Sequence, residues 1–419
     1  MEAGGRLLVQ PAVHPETGER KRIFEDLEYA QAGAEPREDL SEAQIILGLK
    51  EVEISSLVPD RTYAFFSHTH KGQKKNRDLL RAMMASGTTL IDYELIADAS
   101  GRRLLTAFGD FAGYAGLVDT LWTFGRRLAA EGLRNAFEDV SQAIQQSDLS
   151  GVRELLRTVA RRITREGTPG AIPPVIVCIL GRGRTSAAAQ ELLDLLPVEA
   201  VTIDQLPERI KTGSRNRVYK LVLEVDEMYR ISDAHSELNE SFRRMNPSRR
   251  FHYYLDHPQY FESNMQAVLP YTAILVNCIV WSPRYPRVVT ADLMAGVWRD
   301  GTPLRVVGDI SCDPNGSLEF SRETWIDDPV FTYDPQSRGH RMGLDAKGLA
   351  VMAVTNLPCE FSKDASVRFS RQMERFLPSL LSARLGGTLE ESGLAAELQR
   401  ATILWKGQLT PGFSYMQDQ

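Results

Sequence analysis

The chain has 419 residues, 43% of them hydrophobic and 25% charged, a composition typical of ordinary globular proteins with two or three domains. Its net charge of −6 at pH 7 gives no basic footprint for nucleic-acid binding. No apolar run reaches the roughly 18–20 residues of a membrane span, and the first residues show no signal-peptide pattern, so a membrane is not expected as a partner.

The first third of the chain alternates strands and helices. Short apolar runs predict strands at residues 5–11, 44–49, 62–67 and 89–93. Between the last two, apolar residues at helical spacing predict a helix over 76–86. This alternation indicates parallel βαβ units.

The middle of the chain begins with a long helix expected over 111–130, in which Gly113 and Gly116 permit close packing, and a charged helical stretch over 133–165. After a loop rich in Gly and Pro, the continuous apolar run 175–180 is typical of a strand covered on both faces. The later elements expected are a helix at 187–196, strands at 200–203, 273–276 and 304–308, and a helix at 364–381. The residues after 381 show no regular pattern.

A turn of sequence Gly-Arg-Gly-Arg at residues 181–184 leads from the buried strand into the next helix. Such a turn lets the backbone approach a pyrophosphate, and the helix N-terminus offers N–H groups to it. Asp204, at the end of the next expected strand, matches the carboxylate that holds ribose hydroxyls, and it would favour NAD over NADP by repelling a 2′-phosphate. Ser186 replaces the third glycine of the usual pattern, so an ordinary turn between a strand and a helix remains the alternative.

A second group of polar residues follows the strands expected upstream. Lys50 and Glu51 follow the strand at 44–49, His68 follows the strand at 62–67, and Glu94 follows the strand at 89–93. Because the carboxyl ends of parallel strands share one edge of a sheet, these side chains are expected to converge on one cleft. A lysine and a histidine there can exchange protons with an amine or imine near neutral pH, and the carboxylates can tune their pKa values.

Ordinary structural roles stay open for each of these residues. A lone lysine at a strand end is commonly a surface charge, and a histidine after a strand is commonly a hydrogen-bonded loop residue. Glu94 and Arg103 are compatible with a surface ion pair, and His70 is expected to be exposed. The segment 308–316, with Asp309 and Asp313 after a strand, is compatible with a coenzyme-edge loop or with an acidic turn. It lacks supporting ligands at suitable spacing, so no metal site is predicted.

Six segments resemble, in the same order, characteristic stretches of the lysine-ketoglutarate reductase branch of the saccharopine dehydrogenase/alanine dehydrogenase group. They are TYAFFSHTHKGQ (62–73), TLIDYELI (89–96), AFGDFAGYAG (107–116), NCIVW (277–281), GDISCDPNGSLEF (308–320) and TNLPCEF (355–361). In α-aminoadipic semialdehyde synthase this domain is the N-terminal half. The lysine-forming saccharopine dehydrogenases and the alanine dehydrogenases share a looser version of the pattern.

The resemblance implies an α/β fold of two Rossmann-like domains with a cleft between them. The outer, substrate domain would combine residues 1–125 and 345–419, here without the usual first strand–helix unit, and residues 126–344 would form the dinucleotide-binding domain. It also implies NAD(P)H-dependent reductive condensation of lysine with 2-oxoglutarate to saccharopine, or the reverse, with Lys50 and His68 as the acid–base pair. The substrate-binding residues that it implies are Glu51, Lys71, Gln73, Glu94 and Arg103. The coenzyme-binding residues expected are Gly181, Arg182, Gly183, Arg184, Asp204, Asn277, Asp309 and Asp313.

Several points stay open from the sequence. The coenzyme is NAD or NADP, and the partners expected are small molecules, an amino acid and a 2-oxo acid. A related opine- or alanine-type dehydrogenase with another donor or keto acid is one alternative, and a catalytically degenerate dinucleotide-binding regulatory protein is another. The sequence leaves the oligomeric state open, and a homodimer is one of the alternatives. Four cysteines without a CxxC pair favour core or near-core thiols in a reducing cytoplasm.

Overall fold

The computed structural model describes residues 5–71 and 74–417, apart from the side chains of residues 71, 74 and 75. The chain divides into two compact units. The first comprises Met1–Ala107 and Ser366–Gln419, and the second comprises Phe108–Ala365.

Short strands and helices alternate along the described residues. In chain order, the strands are β1 (Leu8–Val9), β2 (Glu35–Pro36), β3 (Ile45–Leu47), β4 (Thr62–Phe65), β5 (Thr89–Asp92), β6 (Ile176–Leu180), β7 (Val198–Ala200), β8 (Val218–Leu223), β9 (Tyr229–Ile231), β10 (Phe261–Ser263), β11 (Ile274–Asn277), β12 (Val306–Asp309), β13 (Val330–Asp334), β14 (Gly339–Met342), β15 (Leu349–Met352), β16 (Thr402–Trp405) and β17 (Gln408–Leu409). The α-helices are α1 (Asp26–Gln31), α2 (Lys74–Ala85), α3 (Ala107–Ala130), α4 (Leu149–Glu166), α5 (Arg184–Leu193), α6 (Leu206–Thr212), α7 (Val225–Met228), α8 (Asn239–Arg243), α9 (Pro247–Asp256), α10 (Ala291–Arg299), α11 (Ser362–Glu374), α12 (Leu377–Leu381) and α13 (Ala396–Arg400).

The first unit is built on a five-stranded sheet of order β17–β16–β5–β4–β3. Strands β3, β4 and β5 are parallel, whereas β16 and β17 add to the sheet in antiparallel fashion. A core of apolar side chains, from Tyr63 and Phe65 on β4 to Phe376 beside α12, is contributed by both ends of the chain. The three parallel strands therefore end at one edge of the sheet, and Glu51, His68 and Glu94 follow them there.

The second unit contains an eight-stranded sheet of order β14–β13–β15–β12–β11–β6–β8–β7. The six strands from β15 to β7 are parallel, and β13 and β14 are antiparallel additions at the other edge. Every residue of β6 is buried, with Val177 and Ile179 in one apolar core and Cys178 and Leu180 in the other. The prediction that this strand is covered on both faces is confirmed, as is the α/β class with parallel sheets.

The helices on these sheets follow from local sequence signals. Asp148 accepts a hydrogen bond from the backbone N–H of Gly151 at 2.8 Å and so begins α4, while Gly167, with φ of 76°, ends it. The buried residues of α4 recur three to four positions apart and are Leu149, Val152, Leu156, Val159 and Ile163. This spacing places one apolar face against the core of the second unit.

The domain boundaries expected at 125/126 and 344/345 differ from the division seen in the structure. Residue 125 lies inside α3, and Leu117 and Leu121 of that helix pack into the core of the second unit. After residue 344, strand β15 pairs with β12 and therefore belongs to the same sheet. The physical reason is that both stretches bury their apolar side chains in the second unit.

Three secondary-structure predictions are wrong in part. The stretch 133–165 is α-helical only from Leu149, because short 3-10 turns at Ala136–Asp139 and Ala143–Gln145 precede α4. The helix expected at 364–381 is split into α11 and α12, with Pro378 near the start of the second. The residues after 381 contain α13, β16 and β17, since β16 gains its hydrogen bonds from the distant strand β5.

Two further observations concern membrane-spanning helices and the cysteines. In the described part of the chain, no helix is both long and apolar enough to cross a membrane. None of the four cysteines, all of which are described, forms a disulfide. Cys178 is buried, but Cys359 is exposed, whereas a core or near-core position was expected for all four.

Candidate active site and dinucleotide site

The edge where β3, β4 and β5 end carries the predicted acid–base residues of the first unit. Backbone hydrogen bonds from Gly48 to Ala64 (2.9 Å) and from Phe66 to Leu49 (3.0 Å) hold the segment after β3 beside β4. They bring Glu51, which follows β3, against His68, which follows β4. The structure thus joins residues that are 17 positions apart in the chain.

Glu51 and His68 form a hydrogen bond of 2.7 Å between Oε1 and Nδ1. Both side chains are about three-quarters buried, with exposed fractions of 28% and 22%. Burial raises the pKa of Glu51, but the hydrogen bond from His68 and the positive charges of His68 and Lys50 outweigh burial and lower that pKa. An ionised Glu51 requires the proton of the imidazole to lie on Nδ1, which leaves Nε2 as the nitrogen that can exchange a proton with a substrate.

The backbone at His68 is in the left-handed region, with φ of 52°. Such a conformation is uncommon for a residue other than glycine and persists where neighbouring contacts impose it. Here the preceding Ser67 donates to the buried Asp92 from both its N–H, at 3.2 Å, and its hydroxyl. The imidazole itself stacks beside the ring of Phe66. The geometry of this turn is therefore set by β5 and by the aromatic core, not by the turn alone.

His70 lies in the same edge and was wrongly expected to be exposed. Its side chain is only 15% exposed, and its two nitrogens lie 3.6 Å from Asp92 Oδ2 and 3.6 Å from Glu94 Oε2. Burial raises the pKa of Asp92, but the nearby imidazole of His70 and hydrogen bonds from Ser67 and from the N–H of Glu94 lower it overall. His70 therefore lies between the carboxylates of Asp92, the last residue of β5, and of Glu94, which follows that strand.

The remaining predicted substrate residues differ in exposure. Arg103 is 60% exposed and forms an ion pair of 3.1 Å with Glu94, which is 12% exposed. Lys50 is exposed and acts on Glu51 through its charge. Gln73 and the side chain of Lys71 lie outside the described residues. Sequence reasoning missed His70 and gave Asp92 no role. The repeated spacing His68-x-His70 and Asp92-x-Glu94 at adjacent strand ends was the signal that could have found them.

The glycine turn of the second unit follows β6 and begins α5. Gly181 has φ of 88°, and a Cβ added there would lie 2.8 Å from Ile279 Cγ2, so a larger residue would be strained and crowded. A Cβ on Gly183, the N-cap of α5, would meet nothing within 4 Å, so the space beside this residue is open. Arg184 opens the helix and lies 3.6 Å from Asp110. Ser186 is buried and accepts a hydrogen bond of 3.0 Å from Gln190, which fits a position that packs closely.

Strand order places this turn where the connections change direction. From β6 the chain runs to β7 and β8 on one side, and then to β11 and β12 on the other side. Ligands of open α/β sheets bind outside the carboxyl ends of the strands at such a switch point. The glycine turn and the loop after β11 adjoin there, because Cys278 N–H donates to Leu180 at 3.3 Å. These features fit a dinucleotide.

Asp204 is not at the end of the strand next to β6. The expected strand at 200–203 is instead β7 (Val198–Ala200), which is the outermost strand of the sheet, and Asp204 lies in the 3-10 turn Ile203–Gln205 after it. Strand β8 lies between β7 and β6, and it ends beside the glycine turn. The position attributed to Asp204 is thus wrong, and the preference for NAD argued from it loses its basis.

Asn277 and Asp309 end β11 and β12 and are almost fully buried, with exposed fractions of 0% and 1%. Asn277 donates to Asp309 at 2.8 Å and to Ser317 at 2.9 Å, and Ser321 also donates to Asp309. Burial raises the pKa of Asp309. Burial raises the pKa of Asp313 as well, and the neighbouring charge of Asp309 adds to this effect. Asn277 and Asp309 thus bind each other and neighbouring protein groups, while the buried Oδ1 of Asn277 has no hydrogen-bond partner among the described residues. Their contact with a coenzyme stays a prediction.

In the described residues, no three His, Cys, Asp or Glu side chains are grouped so that they could hold a metal ion.

Comparison with known proteins agrees with this architecture. Residues 4–115 match the family model for the alanine dehydrogenase/PNT N-terminal domain. Among solved structures, an L-alanine dehydrogenase superimposes with a TM-score of 0.61 and 17% identity, covering 100% of this chain and 92% of that one. A transhydrogenase from Sinorhizobium meliloti gives 0.56 and 14%, covering 98% and 92%. At these identities the likeness concerns the fold.

Curated relatives give a more specific comparison. An alpha-aminoadipic semialdehyde synthase of Arabidopsis thaliana is 36% identical over 98% of this chain and 38% of its own length. The mitochondrial alpha-aminoadipic semialdehyde synthase of Rattus norvegicus is 30% identical over 99% of this chain and 44% of its own length. A saccharopine dehydrogenase (NAD⁺, L-lysine-forming) of Neurospora crassa is 25% identical over 86% of this chain and 80% of its own length.

The fold and these matches define an α/β protein related to the saccharopine dehydrogenase/alanine dehydrogenase group, which confirms the resemblance found in the sequence motifs. Along nearly its whole length the chain is a relative of alpha-aminoadipic semialdehyde synthase. It spans less than half the length of the synthases that it matches.

Proposed function

We propose that this chain is an NAD(P)H-dependent oxidoreductase that condenses the ε-amine of lysine with the keto carbon of 2-oxoglutarate and reduces the product to saccharopine, or runs the reverse reaction. The observation that carries the proposal is the hydrogen bond of 2.7 Å between Glu51 and His68 at the edge where β3 and β4 end. It fixes one imidazole nitrogen as donor and leaves the other to act as acid or base. The names of the curated relatives support the same reaction.

The proposed acid–base roles follow from the balance of the reaction. Attack of the amine on the keto carbon needs a base for the ammonium proton, and loss of water from the adduct needs an acid for the departing oxygen. We assign these two duties to Lys50 and His68, without allotting one to each. Glu51 holds the imidazole of His68 in the required tautomer.

Carboxylates and cations at the same edge suit the binding of charged substrates. Glu94, held between His70 and Arg103, is an acceptor for an ammonium group. The guanidinium of Arg103 pairs with carboxylates through two parallel donors and would neutralise a carboxylate of the keto acid. We propose the same neutralising role for Lys71, and a substrate contact for Gln73.

We propose that the second unit holds the coenzyme, which supplies hydride to the imine when bound. Gly181 and Gly183 let a pyrophosphate approach the backbone, and the N-terminus of α5 with Arg184 offers positive charge to it. Asn277 and Asp309 would support the adjoining loops from beneath, and Asp313 would lie at their surface. NAD and NADP are both compatible with these features.

The test of the assigned roles is a spectrophotometric assay at about 340 nm with NADH and NADPH in parallel. We expect oxidation only when lysine and 2-oxoglutarate are both present. The variants Lys50→Met and His68→Gln should lower kcat by roughly 10²–10⁴-fold, the usual contribution of acid–base catalysis. Lys21→Met, on an exposed lysine of the same unit, should leave kcat within about twofold of the wild type. Unchanged rates in the first two variants would contradict the roles.

A second candidate keeps the fold and changes the substrates. The family match of residues 4–115 and the superposition on an L-alanine dehydrogenase favour a dehydrogenase with ammonia or another amino donor and a smaller keto acid. A panel of donors and keto acids in the same assay separates it from the first candidate. Turnover with ammonia and pyruvate, but not with lysine and 2-oxoglutarate, would favour the second.

We also propose a reducing compartment, the cytoplasm, as the location of the protein, on the ground of four cysteines scattered along the sequence without a CxxC pair.

A further inference from the structure

The strand that lies next to β6 at its carboxyl end is β8, although β7 comes first in the chain. Leu180 at the end of β6 is in register with Leu223 at the end of β8, and Gly181 donates a backbone hydrogen bond of 2.9 Å to Leu223. The residue after β8, Glu224, is therefore the carboxylate that adjoins the glycine turn. In nucleotide-binding sheets, a carboxylate at the end of the neighbouring strand is the one that can reach ribose hydroxyls.

Asp204 is separated from that turn by a whole strand. Strand β7 pairs with β8 from Val198 to Ala200, and after the backbone bond of 2.9 Å from Val201 to Lys220 the chain leaves the sheet. Adjacent strands lie about 4.8 Å apart, so two strand spacings, on the order of 10 Å, separate β7 from β6. The carboxylate at the end of the strand beside β6 is therefore Glu224, although the order of elements along the chain had suggested Asp204.

Glu224 is paired with an arginine of the glycine turn. Arg182 Nε lies 2.9 Å from Glu224 Oε1, and the two side chains are 57% and 44% exposed. The backbone of Glu224 is held in place by a bond of 2.8 Å from its N–H to the side chain of Glu227. A carboxylate and a guanidinium thus lie together at the end of β8, accessible to a ligand and built on fixed backbone.

We propose that this Arg182–Glu224 pair, and not Asp204, distinguishes the two nicotinamide coenzymes. The proposal rests on the proposed function, since it presumes that the second unit binds a dinucleotide. The carboxylate of Glu224 accepts hydrogen bonds from the 2′- and 3′-hydroxyls of the adenosine ribose in NADH. In NADPH the 2′-phosphate is repelled by Glu224 and attracted by the guanidinium of Arg182. The two residues of one ion pair thus act on selectivity in opposite directions.

The opposed directions separate this role from a merely structural one. An ion pair that only stabilised the fold would, on loss of either partner, weaken the binding of both coenzymes alike. If the pair distinguishes the coenzymes, loss of either partner changes the ratio of the dissociation constants of NADH and NADPH. Loss of Glu224 and loss of Arg182 change this ratio in opposite directions. Glu224→Gln removes the negative charge and keeps the length of the side chain, and Arg182→Gln removes the positive charge with a shorter polar side chain. Asp204→Asn is the matched control on the exposed residue favoured by chain order.

The experiment measures the dissociation constants of NADH and NADPH by nicotinamide fluorescence, with no substrate present. For Glu224→Gln we expect the NADPH-over-NADH preference to rise about tenfold or more, and for Arg182→Gln to fall by a similar factor. Asp204→Asn should change the ratio by less than about twofold. Thermal unfolding of each variant shows whether it is folded, and if one variant fails to fold, the other and Asp204→Asn still decide.

Each outcome has one meaning. A ratio that shifts with Asp204→Asn, or that stays constant in both glutamine variants, overturns the proposal. Opposite shifts in the two glutamine variants establish it, even if lysine and 2-oxoglutarate give no turnover, in which case the proposed function alone fails. If neither NADH nor NADPH binds the wild type, both the proposal and the coenzyme assignment fail.

Discussion

At the scale of single residues, the charge of a buried carboxyl group depends on its partners. Asp92 is fully buried, yet the nearby imidazole of His70 and hydrogen bonds from Ser67 and from one backbone N–H lower its pKa despite burial. Asp119 is equally buried and accepts a hydrogen bond of 2.8 Å from the N–H of Ala143, but it also faces another acid, Glu360. Burial and mutual repulsion therefore favour retention of a proton by the Asp119–Glu360 pair, whereas Asp92 remains an anion.

The Asp119–Glu360 pair links α3 to the loop that carries the TNLPCEF segment. Asp119 accepts a hydrogen bond from the N–H of Ala143, and Glu360 accepts one of 3.1 Å from the N–H of the next residue, Ile144. Burial raises the pKa of Asp119, and burial together with the neighbouring Asp119 raises the pKa of Glu360. The folded chain thus retains a proton near neutral pH that the unfolded chain releases.

These two acids make the stability of the protein depend on pH. Both folded-state pKa values lie above the unfolded values near 4, so the acids lower stability progressively as pH rises from about 4 toward the folded values. In Asp119→Asn the amide oxygen still accepts from Ala143 while the charge is lost. We expect the fall in Tm between pH 5 and pH 8 to be smaller than in the wild type by roughly 3–6 °C, measured by calorimetry. The exposed-site variant Asp327→Asn should keep the wild-type slope, and equal slopes in all three proteins would contradict the assignment.

At the scale of elements, the contact between α3 and α5 positions the glycine turn. A Cβ on Gly113 of α3 would overlap the carbonyl oxygen of Thr185 and lie 2.8 Å from Ala188 Cβ. Gly116, one turn later, similarly packs against Ile310. The prediction that these glycines permit close packing is confirmed. Gly113 thus packs against the first turn of α5, the part of that helix which adjoins residues 181–184.

Replacing Gly113 tests this contact. Gly113→Ala should cost about 1–3 kcal/mol of unfolding free energy through overpacking, and it should weaken nicotinamide coenzyme binding because the start of α5 must shift. Gly109→Ala, on the same helix, is the control, since its nearest neighbour would be 3.9 Å from the added Cβ. It should be neutral or slightly stabilising, as alanine favours a helix over glycine by about 1 kcal/mol. Denaturant unfolding and fluorescence titration measure both effects, and equal behaviour of the two variants would refute the role of Gly113.

At the scale of the whole molecule, each of the two units has its own main sheet and its own apolar packing, with one core in the first unit and two in the second. The predicted acid–base residues lie in the first unit, and the glycine turn lies in the second. We expect saturating NADH to slow amide hydrogen exchange in peptides covering 180–186, 222–226 and 277–281. A ligand at about 100 times its Kd stabilises the folded state by about 2.7 kcal/mol, which is readily detected. Peptides covering 62–70 and 89–95 are the internal control, and protection confined to them would contradict the assignment of the coenzyme to the second unit.

The sequence by itself determined what depends on local patterns. The buried strand β6, the glycine turn after it, the strands that end before Glu51, His68 and Glu94, and the family resemblance all follow from hydrophobic runs and motifs within a few residues. Their geometry is local, because a strand or a turn reflects the residues that form it. The position of Lys50, Glu51 and His68 at one edge followed from the general rule for parallel sheets.

Only the tertiary structure decided what depends on neighbours distant in the chain. Strand β8 lies between β7 and β6, so Glu224 takes the position that chain order assigned to Asp204. Strand β16 exists through its pairing with β5, and His70 is enclosed through Asp92 and Glu94. Strand order and burial arise from contacts between segments far apart in sequence, and no periodicity within one segment encodes which other segment will lie beside it.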